Sequence, residues 1–66
     1  MTVVVNGEAR ELAEGTNIEA LVAALGLAER RVAVELNREV LERGRWSEAL
    51  LRPRDEVEIV QFVGGG

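Results

Sequence analysis

The stretch Glu56-Val57-Glu58-Ile59-Val60-Gln61-Phe62-Val63-Gly64-Gly65-Gly66 decides how the rest of the chain must be arranged. Over residues 56–63 it reads as a strand, with Val57 and Ile59 on one face and Val60 and Phe62 on the other. A strand apolar on both faces belongs inside a sheet, beside the first strand, where both sides are at least partly covered. Three glycines then follow with no side chain to pack. Glycine loses more backbone freedom on ordering than any other residue, so the run contributes nothing to a fold. Two readings fit it: a frayed end, or a chain end that threads a narrow slot and places its carboxylate in another protein's active site, where no Cβ blocks the approach.

Working outward, residues 2–6 are β-branched and apolar, Asn6-Gly7 is the dipeptide favoured in two-residue hairpin turns, and residues 8–12 read as the return strand. Glu14-Gly15 breaks the hairpin. Thr16-x-x-Glu19 then has the form of a capping box, with Thr16 as the helix N-cap. Ile18, Leu21, Val22 and Leu25 recur at i, i+3, i+4 and i+7, one apolar stripe. Gly26 stands where a left-handed C-terminal cap belongs, and Leu27 can fold back on the last turn. A helix of about ten residues is marginal alone, so its stability must come from laying the stripe on a sheet.

Val32-Ala33-Val34-Glu35-Leu36 alternates with period two and ends at Asn37, and Val40-Leu41 suits a short edge strand. Trp46, alone in a polar stretch, reads as a lid over the core margin. Ser47 is placed to cap one short turn that carries Leu50 and Leu51 inward. Pro53-Arg54-Asp55 is turn chemistry. The element order is thus β-β-α-β-β-β, an α+β chain with one helix on a mixed sheet. Alternation aims Val3, Val5, Val34, Leu36, Val57 and Ile59 at the helix and Val4, Ala33, Val60 and Phe62 away from it. One helix leaves that second face open, so these four form an apolar patch beside the glycine tail, a candidate partner interface.

Composition narrows the chemistry. Sixty-six residues make one small domain, which buries only about 60% of its unfolded surface and has little room for an internal active site. There is no cysteine and no histidine, hence no thiol nucleophile, no disulfide and none of the usual zinc ligands. The net charge of −4, with arginines dispersed among acids, argues against nucleic acid and against an anionic membrane surface. No apolar run approaches the ~20 residues of a membrane span and no signal-peptide layout opens the chain, so the cytoplasm is the expected location. All eight basic residues are arginine. Without lysine, an activated tail could form an amide on a second copy only at its α-amino group. Glu35 and Asp55 read as solvated strand-end or turn residues rather than an acid/base pair.

Four segments together resemble the ubiquitin-like β-grasp sulfur carriers of the ThiS/MoaD family, nearest its thiamine-biosynthesis branch. They are the opening strand ending in Asn6-Gly7-Glu8, the Val32-Ala33-Val34-Glu35-x-Asn37 segment, Arg43-x-x-Trp46, and Asp55-x-Val57-x-Ile59-Val60 running into the glycines. The family's terminal Gly-Gly maps onto Gly65 and Gly66, with Gly64 extending it by one. Arg38 departs from the pattern, standing where a smaller residue would turn more easily.

The resemblance implies a ubiquitin-like β-grasp of four to five strands on one helix over residues 1–63, followed by a flexible tail, Gly64 to Gly66. It implies that a ThiF-like enzyme uses ATP to adenylate the Gly66 carboxylate, and that sulfur relayed from a cysteine desulfurase replaces AMP to leave a thiocarboxylate. A thiazole synthase then takes the sulfur for the thiazole moiety of thiamine. In that picture Gly64 and Gly65 thread the partner's active site, and the chain is a monomeric protein cosubstrate that binds no cofactor or metal. Three alternatives stay open at this point: a MoaD-like subunit of molybdopterin synthase, whose chains tend to be longer; a ubiquitin-like modifier conjugated through Gly66; and a β-grasp interaction module with an inert tail.

Overall fold

Asn6 and Gly7 both take positive φ, +49° and +82°, the conformation a two-residue hairpin turn requires and one that asparagine and glycine adopt most readily. They join β1 (Thr2–Val5) to β2 (Glu8–Glu11) in antiparallel register, Val3 opposite Arg10 and Val5 opposite Glu8. The computed structural model describes residues 1–62, so Val63 and the tail Gly64, Gly65 and Gly66 lie outside the described residues.

Helix α1 (Ile18–Ala24) follows, and its start differs from the sequence expectation. Asn17, not Thr16, is the N-cap, its side-chain oxygen accepting from the Ala20 amide at 2.7 Å. The Thr16 carbonyl is taken by the Leu51 amide at 2.9 Å and its hydroxyl donates to the Ala13 carbonyl at 2.7 Å, which fixes Thr16 in the preceding turn. Glu19 is therefore one position too early for a reciprocal capping box, although an acid in the first turn still complements the helix dipole. The other end matches expectation. Gly26 has φ +76°, its amide bonds to Ala23 and the Leu27 amide to Val22, both at 3.0 Å, which is the paired pattern of a Schellman cap.

Strands β3 (Val32–Leu36) and β4 (Glu39–Leu41) form a second hairpin across Asn37 and Arg38, both at positive φ (+51° and +71°). A 3-10 turn over Arg43–Glu48 comes next, earlier than the sequence suggested and without a side-chain cap; Ser47 lies inside it. Leu51 is buried as expected, but Leu50 is 61% exposed. Leu50 sits in an isolated antiparallel bridge with Asn17, and bridge alternation sends its neighbour Leu51 inward.

Strand β5 (Glu56–Gln61) closes the sheet in the order β2-β1-β5-β3-β4, central and beside β1 as its two-sided apolar pattern predicts. It runs parallel to β1 and antiparallel to β3. The core lies between α1 and one sheet face: Val3, Val5, Val34, Val57 and Ile59 from the sheet, Ile18, Leu21 and Val22 from the helix, and Trp46 and Leu51 closing the end. Leu36 and Leu25 pack at its margin, half-buried. Trp46 is deep in this core, its indole N–H donating to the Leu41 carbonyl at 3.1 Å. Arg43 lies 4.4 Å from the centre of the Trp46 ring and donates to the carbonyls of Ala28 and Arg30, so the pair fastens the connection between α1 and β3.

Candidate functional site

The residues that lead toward the glycine tail are held from both sides. The parallel ladder between β1 and β5 covers only Val4 with Glu56 and Val5 with Val57 before β1 turns away. Asn6 takes over from there. Its backbone amide donates to the Val57 carbonyl at 2.8 Å, and its side-chain amide bonds both polar groups of Ile59, accepting from the N–H at 2.7 Å and donating to the C=O at 3.2 Å. Asn37 holds the other end of β5, its backbone amide donating to the Glu56 carbonyl at 2.7 Å, its Oδ1 accepting from the Glu56 amide at 2.9 Å and its Nδ2 donating to the Asp55 carboxylate. Asp55 also accepts from the Arg52 amide at 2.8 Å. This confirms it as a turn residue. On the β3 side the register runs from Leu36 opposite Val57 to Val32 opposite Gln61, and Phe62 donates its amide to Arg31 at 2.9 Å.

The sheet face away from α1 carries Val4, Ala33 and Val60, and the structure brings Ala33 and Val60 directly opposite each other. Val60 is 56% exposed and Phe62, just past the strand, 59%. Val4 and Ala33 are half-buried, so the bare part of the patch is at the tail end of β5. Val40 on β4, 75% exposed, extends the apolar surface, although the sequence marks it as an edge-strand residue and not as part of this patch. Register places it opposite Glu35, one position along β3 from residues facing the helix, which puts it on the open face.

Of the acids on this face the sequence singles out Glu35 alone, as a solvated strand-end or turn residue. Glu56 and Glu58 share parity with Val60, and Glu35 sits directly across from Glu58. Glu11 lies on the same face at the β2 edge, opposite Thr2, whose hydroxyl donates to its carboxylate. The signal lies in the repeat Glu56-Val57-Glu58-Ile59, whose acids alternate with its apolar residues and so share one face. The site residues Gly64, Gly65 and Gly66 lie outside the described residues.

A family model described as the ThiS family matches residues 3–66. The chain belongs to the ThiS family. It is 40% identical to a thiamine biosynthesis protein (ThiS) from Geobacter metallireducens, whose crystal structure superposes with a TM-score of 0.84 over 100% of both chains. That agreement establishes the five-stranded β-grasp with one helix. A sulfur carrier protein ThiS of Bacillus subtilis is 45% identical over 49 residues, covering 74% of each chain. A thiazole synthase of Magnetococcus marinus is 41% identical over 66 residues, all of this chain but 20% of that protein. The chain thus spans about a fifth of the length of the thiazole synthase it matches. Among the described residues, no helix is long and apolar enough to cross a membrane.

Proposed function

We propose that the chain is a sulfur carrier of thiamine biosynthesis, in which the Gly66 carboxylate is the group that is activated and loaded. The observation that carries this reading is the ThiS family match through residues 3–66, terminal glycines included. The chemistry follows from what the chain lacks as well as what it has. With no cysteine, sulfur has to be held on the main chain.

A ThiF-like enzyme joins the Gly66 carboxylate to the α-phosphorus of ATP and releases pyrophosphate, which turns a poor electrophile into an acyl adenylate. A persulfide, charged by a cysteine desulfurase, attacks the carbonyl carbon and displaces AMP. A thiol then attacks the outer sulfur of the resulting acyl disulfide, forming a disulfide with the persulfide carrier and freeing the thiocarboxylate. That group is anionic and nucleophilic without a neighbouring base, so the carrier itself needs no catalytic side chain. A thiazole synthase is the acceptor. The similarity of this chain to a segment of proteins named thiazole synthase supports the choice. ATP is used by the activating enzyme and the carrier binds no cofactor.

Val4, Ala33, Val60 and Phe62 form the docking surface beside the tail, with Gly64 and Gly65 threading the partner's active site. The test is intact-mass analysis after incubation with the activating enzyme, ATP and a persulfide donor. Replacement of one oxygen by sulfur is expected in the full chain, and none in a chain lacking Gly66 or extended beyond it. Sulfur loading of the truncated chain overturns the assignment.

A further inference from the structure

The open sheet face carries a cluster of acids. Of the twelve acidic residues, Glu11, Glu35, Glu56 and Glu58 project from this face, and the eight that remain equal the eight arginines in number. Among the described residues Arg10 is the one arginine within a strand, and it stands opposite Val3 on the helix side, while Arg31, whose carbonyl accepts from the Phe62 amide, borders the open face at its Phe62 end, away from Glu56 and Glu58. Glu35 and Glu58 are directly opposed on neighbouring strands, where side chains leave the backbone about 5 Å apart and like charges destabilise the sheet. Among the described residues the one ion pair joins the Met1 amino group to Glu11 at 3.8 Å, so Glu35, Glu56 and Glu58 close no ion pair. Arg38 flanks Glu56 at the end of the sheet without closing a pair. Folding gains nothing from this arrangement. Between the acids run Val4, Ala33, Val40 and Val60, so apolar and anionic positions alternate across the same surface.

We propose that this face docks a protein surface of the opposite pattern, an apolar centre interspersed with arginine or lysine side chains that pair with Glu35, Glu56 and Glu58. Charge selects that occupant over the others. Phosphate-bearing surfaces, whether nucleic acid or lipid, carry the wrong sign. A second copy docked symmetrically by the same face would set each carboxylate cluster against its own twin. A basic protein surface instead engages these three carboxylates in charge-assisted hydrogen bonds, for which the arginine fork is best suited. The complementary fields also speed encounter at low ionic strength. The proposal rests on the sulfur-carrier reading, because the partner it describes is the adenylating enzyme.

The experiment measures binding of the full chain to that enzyme by calorimetry, separately from adenylation followed by pyrophosphate release. Neutralising both opposed acids, Glu35→Gln with Glu58→Gln, is expected to weaken binding roughly tenfold while raising the urea midpoint of the free carrier, since repulsion is removed. Glu58→Arg, which puts a cation across from Glu35, should raise stability and weaken binding further. Glu14→Gln, in the loop before α1, should change neither. Wild-type affinity should fall as salt is raised. Affinity that ignores both the substitutions and salt overturns the docking proposal, even if pyrophosphate release continues and supports the carrier reading. Charge-dependent binding without adenylation does the reverse. Absence of any binding overturns both, and a concentration-dependent dimer of the free chain, abolished by Val60→Glu, assigns the face to a second copy instead.

Discussion

Asn6 grips both backbone polar groups of Ile59, a residue 53 positions further along the chain, accepting from its N–H and donating to its C=O. The side-chain amide thereby replaces one residue of a parallel ladder that stops at Val5. Because the same residue sits at φ +49° in the β1–β2 turn, one side chain couples the opening hairpin to the strand that leads toward the glycine tail.

Substituting Asn6→Gly separates these two roles, since glycine keeps the turn and removes only the amide. Two part-buried backbone groups then lose their partner, and each unsatisfied buried group costs about 1–3 kcal/mol. Urea unfolding is expected to show a loss of about 2–6 kcal/mol for the two groups together, and hydrogen exchange should locate it at the Ile59 amide. An unchanged exchange rate at Ile59 would mean that water replaces the clamp without cost.

Arg38 should respond in the opposite direction. At φ +71° it holds a conformation that costs an L-residue with a Cβ roughly 1–2 kcal/mol, partly offset by the greater unfolded-state freedom of glycine. Arg38→Gly is expected to stabilise the protein by about 0.5–1 kcal/mol, read as a higher urea midpoint at unchanged slope. A lower midpoint would show that the Arg38 side chain makes compensating contacts in solution.

The helix start supplies a third test. With Asn17 as the cap, Asn17→Ala should cost ~1 kcal/mol, and more if its second bond, to the Ser47 carbonyl at 3.2 Å, also matters. Thr16→Ala removes only an exposed bond to Ala13 and should cost less. The reverse order would restore the capping box that the sequence suggests.

That misplacement illustrates what one chain read alone can and cannot reveal. Local chemistry was legible: Asn6-Gly7 as a hairpin, Gly26 as the helix stop, and the parity of Val57 and Ile59 as core. So was the central place of β5, because apolar residues on both faces demand cover. The cap shifted by one residue because Leu51 claims the Thr16 carbonyl, a contact between distant segments. Leu50 turned outward for the same reason, through its bridge to Asn17. The acids of the open face were visible singly. Their opposition depends on the register of β3 against β5, which alternation within each strand does not specify. The glycine tail, the feature that first pointed to function, lies outside the described residues.

The final prediction separates folding from docking. Leu21 is 1% exposed and central to the helix stripe, so Leu21→Ala should destabilise the protein by roughly 2–5 kcal/mol and impair partner binding only through unfolding. Phe62 is 59% exposed and contributes to the fold through its backbone amide, which alanine retains. Phe62→Ala should therefore change stability by under ~0.5 kcal/mol, yet weaken binding to the adenylating enzyme by more than ~2 kcal/mol if it anchors a desolvated interface. Calorimetric melting and binding measured on the same preparations decide the matter. Should Phe62→Ala unfold the protein while affinity per folded molecule holds, Phe62 belongs to the core, and the docking surface would have to be sought on the other side of the strand.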